Sequence, residues 1–324
     1  VAYIKAISKE ILDIVRFGCF KLSLPPPNTK QLTSKLVLKI KYDAEGKYLK
    51  LKARLGFLSE LGKDFYATHS PMSSMNAIRV LLAIAAHKRL AVLHSDVPNA
   101  FIQSHIDSDV FIALPKGIMF RDQDAAQYGD RRLPKLVRSL YGLRSAPLLF
   151  NKELDSFFKD RLRYEQCHSD SCLYYKVSST AKFVPVSINV DDIVITGDDD
   201  AEIEKLRTAL QQTYAVKQFD PVHTLLGIHV ERYDDGSYSL DCISKIEALF
   251  DEHAILKTCG TATCPMSPTA KYAMKDPPTE HESYVKDHFA SLLGSLIYIC
   301  VTCRPDVAQA IGRCSRGMHA PESH

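Results

Sequence analysis

Tryptophan is absent from the chain, which has 324 residues. No apolar run reaches the ~20 residues that span a bilayer; the longest, near Leu292 to Cys303, stops well short. That argues against a membrane-spanning protein. No low-complexity block, collagen-like period or solenoid-length repeat is present, which excludes fibrous and repeat architectures. The start, VAYIKAISKE, carries charges and no small-residue cleavage pattern, so it does not read as a signal peptide. It also has no initiator methionine, which reads as a segment of a longer protein. Charge of one sign is not in excess: 41 Lys and Arg against 38 Asp and Glu give a net charge of +3. Such a balance neither demands nor excludes a nucleic-acid partner. Nine cysteines are scattered along the chain. An odd number without a secretory signal points to reduced thiols in an intracellular compartment, a cytoplasmic particle and the nucleus being equally compatible. Cys300 and Cys303, with Cys259 and Cys264, have a spacing that only loosely fits zinc. Cys300 and Cys303 lie in the apolar run SLIYICVTC, where core thiols are the plainer reading.

What is present is a 46% hydrophobic composition, enough to bury a sizeable core. Residues 2–16 predict a helix with apolar positions at Ile4, Ile7, Ile11, Leu12 and Val15. The breaker LPPPNTK follows. KLVLKIKYDAEGKYLKLKARL then reads as a hairpin turning at DAEG, with one cationic face and one core face. Between Lys30 and Arg54 there are eight basic residues against Asp43 and Glu45. Residues 73–89 predict a helix capped by Ser73 or Ser74, and AVLHSD a strand ending at Asp96. DVFIALP reads as a short strand. LVRSLYGLRSAPLLFNKELDSFFKDRL reads as a loop entering a helix near Pro147. SCLYYKV and FVPVSINVDDIVIT read as an antiparallel hairpin holding Asp191 and Asp192 at its turn. DDDAEIEKLRTALQQTY reads as an acid-started helix, LLGIHVERYDDGSYSLDC as a hairpin turning at DDG, and SKIEALFDEH and residues 284–318 as helical. Helices interspersed with antiparallel hairpins predict an α+β fold rather than a doubly wound sheet.

Asp96 and Asp191 both end or interrupt apolar strand-like segments. If those strands are neighbours, the carboxylates converge. Converging carboxylates bind Mg²⁺, a hard ion that keeps room for substrate phosphates. An Asp-Asp pair at a hairpin tip is also a common turn former, so the pair alone does not decide. The acids of GDDD at 197–200 stand at a helix start, where they satisfy free N–H groups.

Four features recur in a fixed order: KARL, DVPNAF, SLYGLRSAP and the Asp191–Asp192 pair. Together with HSPMSSMNAIRVLLAIAA, LLGIHVER, SLLGSLIYICVTCRPDVAQAI and SRGMHAPESH, this order resembles the reverse transcriptase domain of copia-class LTR retrotransposons over nearly the whole chain. The resemblance implies a right-hand polymerase with an antiparallel palm sheet packed on helices. It implies fingers at 1–90 and 113–146, palm at 91–112 and 147–232, and thumb or connection at 233–324 leading toward an absent RNase H segment. It implies an RNA-directed DNA polymerase using two Mg²⁺, or Mn²⁺, held by Asp96, Asp191 and Asp192. The implied partners are a primed RNA or DNA template, deoxynucleoside triphosphates, and RNase H and integrase segments of a longer polyprotein, with no membrane.

Residue by residue, Lys52 and Arg54 match a hairpin that reaches the triphosphate. Asn99 and Ala100 match backbone amides facing it, and Phe101 the ring under the sugar. Tyr141, Gly142 and Arg144 match the loop that packs on nucleotide and template. Asn189, Val190 and Gly227 match primer contacts. Asn189 stands where the family usually has tyrosine, and Leu36 and Phe150 stand where relatives usually carry tryptophan. These departures set a second expectation beside the first: an inactive retrotransposon relic that keeps a nucleic-acid-binding polymerase fold. A metal-dependent phosphohydrolase is a third, weakened by the absence of a His-rich ligand set.

Overall fold

The computed structural model describes residues 2–42, 48–57, 68–115, 132–258, 260–266 and 280–318. The DAEG turn, Cys259 and the APESH end lie outside the described residues. The chain divides into two compact units, Val1–Ser74 with His94–Asp220, and Met75–Leu93 with Pro221–His324.

The first unit begins with helix α1, Ala2–Arg16. The helix forms where its periodicity predicts. Its most buried positions, however, are Glu10 and Ile14, while Ile4, Leu12 and Val15 are exposed. The reason is a carboxylate: Glu10 faces strand β3 and is bound there, so the buried stripe runs through it. Strands β1 (Phe20–Ser23), β2 (Gln31–Tyr42), β3 (Tyr48–Phe57), β5 (Phe111–Ala113) and β6 (Leu133–Leu136) form a sheet in the order β1-β6-β5-β2-β3. β2 and β3 pair antiparallel with Lys39 opposite Lys52 and Val37 opposite Arg54. The expected core face holds only near the base of this hairpin, at Leu32, Ala53 and Leu55. Farther out, Leu38, Ile40 and Leu49 are exposed. Leu32, Leu55, Ile112, Leu136 and Leu140 form the core beneath this sheet.

The second sheet has the order β11-β4-β10-β9-β8-β7, from β4 (Leu93–Asp96), β7 (Glu165–Gln166), β8 (Leu173–Val177), β9 (Phe183–Asn189), β10 (Asp192–Ile195) and β11 (Asp220–Pro221). β7 to β10 form an antiparallel meander. The sequence reading put the aspartate pair at the turn joining SCLYYKV to the next strand. The pair instead occupies the following turn, between β9 and β10. A single apolar run, FVPVSINVDDIVIT, thus contains two strands, and the polar pair within it marks the reversal. The short helix α3 (Ala100–Gln103) follows β4. Behind the meander lie α4 (Ala146–Ser156), its π-helical extension Phe157–Arg161, and α5 (Asp200–Tyr214). Phe157 meets Tyr214 edge-on at 5.1 Å, and Phe158 stacks on Tyr174 at 5.0 Å. The Asp199 side chain accepts from the Glu202 amide and caps α5, as the acid-rich start predicts.

In the second unit, α2 (Met75–His87) accompanies a small antiparallel sheet of β12 (Thr224–Leu225), β13 (Ile228–Arg232) and β14 (Tyr238–Asp241). Gly236 supplies a positive φ at the DDG turn. Helices α6 (Ile243–Glu252), α7 (Glu280–Thr302) and α8 (Ala308–Ser315) complete it. Cys300 packs with Leu293 and Ile311, and Cys303 against the cluster of Cys242 and Leu249, so both serve as core thiols. Among the described residues no helix is long and apolar enough to cross a membrane.

Candidate active site

Asn189 of β9 pairs with Asp192 of β10, which leaves Val190 and Asp191 as the two turn residues. Val190 has φ +58°. A β-branched residue there is a genuine outlier, costing roughly 1–3 kcal/mol. Two-residue hairpins that need this conformation at their first position normally take glycine. The buried Ile188, Ile193, Val194 and Ile195 on either side hold the strained turn in place.

The turn is stapled to the neighbouring strand. Val97 N–H donates to the Asp191 carbonyl at 2.7 Å, placing the end of β4, and with it Asp96, beside the turn. Burial raises the Asp191 carboxyl above its ordinary value, and the charges of Asp192 and Asp96 add to that rise, while Lys52 opposes it. Asp96 Oδ2 accepts from Lys217 Nζ at 2.5 Å, and Asp192 Oδ1 lies 2.8 Å from His94 Nε2. Among the described residues no three His, Cys, Asp or Glu side chains are already gathered as an ion cage.

Beside the carboxylates is a layered aromatic wall. The Phe101 and Tyr141 rings are 4.9 Å apart and tilted by 51°. The Arg54 guanidinium lies over Tyr141 at 4.1 Å. Arg54 is itself held by the buried Glu10 at 2.7 Å, whose other oxygen accepts the Leu55 amide. Burial pushes the Tyr141 hydroxyl up to about 12; Arg54 opposes the shift, and Asp191, Glu10 and Asp96 add to it. Tyr141 therefore senses the same carboxylates. Gly142, at φ +98°, turns the loop beyond it, and Arg144 is exposed. Asn99, at φ +54°, starts α3 and accepts from the Ile102 amide, while Ala100 is buried.

Asp96, Asp191, Asp192, Lys52, Arg54, Phe101 and Tyr141 thus belong to one unit and are linked by contact or by charge. Gly227 belongs to the other unit, with φ +79° and the Leu226 carbonyl bonded by Tyr298 Oη at 2.7 Å. Asn189 is buried and, among the described residues, its Nδ2 has no hydrogen-bond partner. Three residues that the sequence did not single out belong to the site: Glu10, His94 and Lys217. His94 was within reach, since it lies two residues before Asp96 on a strand and so shares its face. Glu10 and Lys217 carry no local signal; only the fold brings them in.

The family model described as reverse transcriptase (RNA-dependent DNA polymerase) matches residues 18–268. The chain is 31% identical over 323 residues to the retrovirus-related Pol polyprotein from transposon TNT 1-94 of Nicotiana tabacum, covering 98% of this chain and 24% of that protein. It is 30% identical over 335 residues to the Pol polyprotein from transposon RE1 of Arabidopsis thaliana, covering 98% and 21%. It therefore spans about a quarter or less of the length of these relatives. A telomerase structure from Candida albicans aligns with a TM-score of 0.37 at 9% identity, covering 99% of this chain and 66% of that one. On the family match and these identities, the chain belongs to the reverse transcriptase (RNA-dependent DNA polymerase) family, among the domains carried by the Pol polyproteins of copia-class retrotransposons.

Proposed function

We propose that this chain is a polymerising core: an RNA-directed DNA polymerase that extends a primer 3′-hydroxyl on an RNA or DNA template with deoxynucleotides. The observation that carries the reading is the staple between Val97 and Asp191, which sets Asp96 beside the Asp191–Asp192 turn. In this reading 1–90 and 113–146 are fingers, 91–112 and 147–232 palm, and 233–324 thumb or connection. RNase H and integrase would be further segments of an intracellular polyprotein.

Asp96, Asp191 and Asp192 would hold two Mg²⁺ ions, with Mn²⁺ as a substitute. The donors suit such ions in kind, being carboxylate oxygens on rigid strands. Burial raises Asp191 and the charges of Asp192 and Asp96 add to that rise; a cation relieves this added repulsion, and the Lys217 ammonium already stands on Asp96 as a cation in that place. When bound, the ions supply activation of the primer hydroxyl and neutralisation of the leaving pyrophosphate.

The chain's own residues do the rest. Val190 and the flanking strands fix where the two turn carboxylates point. Phe101, backed by Tyr141, would be the ring that a ribose 2′-hydroxyl strikes. Lys52 contributes positive charge near Asp191 for a triphosphate. Arg54, engaged by Glu10 and Tyr141, orders the wall rather than reaching out.

One observation favours a second reading, an inactive fold that still binds nucleic acid. Among the described residues the buried Asn189 Nδ2 has no partner, beside the turn where the family's tyrosine would pack. Primer extension by the purified chain separates the two. Template-directed extension by wild type, absent in Asp191→Ala, supports the polymerase. Equal background in both proteins, with salt-dependent binding to an RNA–DNA hybrid, supports the inactive fold.

A further inference from the structure

The segment after α5 is unusually well fixed for a surface connection. Ala215 reverses the chain at φ +49°. Gln103 Nε2 donates to the Tyr214 carbonyl at 2.8 Å, and Val216 and Phe219 are buried. The Ser95 hydroxyl, itself buried, donates to the Lys217 carbonyl at 3.0 Å. Ser95 directly precedes Asp96. The main chain of Lys217 is therefore tied to the strand that carries the carboxylate its own ammonium reaches. The side chain stays 63% exposed and that of Asp96 37%. An exposed pair of this kind adds little to the stability of a fold, so packing does not explain why the ammonium is delivered there. The charge pattern does: the Val97 staple sets Asp96 beside the turn that carries Asp191, next to Asp192, and an ammonium on Asp96 offsets the repulsion among these charges.

We propose that Lys217 is a tethered counter-cation of the metal position, which a divalent ion must displace from Asp96 as it binds. Lys217 is then a positioning residue that sets metal affinity. The proposal rests on the reading of Asp96, Asp191 and Asp192 as metal ligands. Its chemistry is simple exchange: the ammonium leaves one carboxylate oxygen, the ion takes it, and no proton or electron moves. His94 makes a parallel contact to Asp192 from within β4 itself.

The test is direct Mn²⁺ binding to the full chain, followed by loss of the free-ion paramagnetic resonance signal, with no substrate. Lys217→Met is expected to bind Mn²⁺ about 2–5-fold more tightly than wild type, the scale of one exposed ion pair released. Lys217→Arg, which keeps the charge, is expected to stay at the wild-type affinity. Asp191→Asn serves as the control for the site and is expected to bind at least tenfold more weakly. Unchanged or weaker binding by Lys217→Met, with Asp191→Asn weakened, overturns the role of Lys217 and leaves the carboxylate site standing. Tightening by Lys217→Arg equal to that by Lys217→Met also overturns it, since charge would not be the cause. Wild-type affinity in Asp191→Asn overturns the underlying metal reading instead.

Discussion

Val190 shows how one residue can be costly to the fold. Its positive φ is stored strain, and the hydrophobic strands around it resist relaxation. Val190→Gly should raise the unfolding free energy by about 0.5–1 kcal/mol, the strain released less the entropy that glycine brings. Val194→Ala, in the buried part of the next strand, should lower it by about 2 kcal/mol. Denaturant midpoints of the two variants check the contrast, and a loss in Val190→Gly comparable to that in Val194→Ala would contradict the strain. Asn189, one residue earlier, is the other anomaly. If its missing packing surface is what limits the site, Asn189→Tyr should increase primer extension several-fold. An unchanged or lower rate would show that the defect is not there. The sequence displayed Asn189 as a departure, but its burial, and an amide without a partner among the described residues, emerge only when the strand is placed in the sheet.

The N-terminal helix is the element whose role changed most between sequence and structure. Apolar periodicity located α1, and Ile7 and Ile11 are part-buried, but it passed over Glu10 because periodicity treats glutamate as a solvent residue. Glu10 is instead buried and bonds both Arg54 and the Leu55 amide. Glu10→Gln should lower stability by about 2 kcal/mol, as expected when a buried, charge-assisted hydrogen bond is weakened. It should also loosen Arg54 from Tyr141, measurable as a poorer discrimination between deoxy- and ribonucleotides if Phe101 depends on that stack. Helices α2, α5 and α6 and the β13–β14 hairpin were legible because periodicity locates the helices, the Asp199 cap starts α5, and the DDG turn closes the hairpin. Strands β1 and β6 were not. Each is four residues long and pairs with the other across more than a hundred residues of sequence, and no local pattern encodes such a partner. The aspartate turn was misplaced by one strand for a related reason: an apolar run of that length does not itself say where it folds back.

For the whole molecule, the division into two units carries a thermodynamic consequence, since such units need not unfold as one. Glu10→Gln should shift only the transition of the first unit, and Leu292→Ala, in the core of the second, only the other. Probes placed in each unit would check this, and a common shift in both would contradict it. The composition of the proposed site was legible at this scale in a particular sense. Order along the chain, from KARL through DVPNAF and SLYGLRSAP to the aspartate pair, named most of the residues that the first unit gathers. It could not name Lys217 or Glu10, whose neighbours are set by the fold alone. The central claim is that Asp96 and Asp191 act together on one reaction, and single-turnover incorporation of one deoxynucleotide on a primed RNA template tests it most directly. With folding of each variant verified by circular dichroism, Asp96→Asn and Asp191→Asn should each reduce the rate by on the order of 10³-fold or more, about 4 kcal/mol. Incorporation by either variant at the wild-type rate would contradict it.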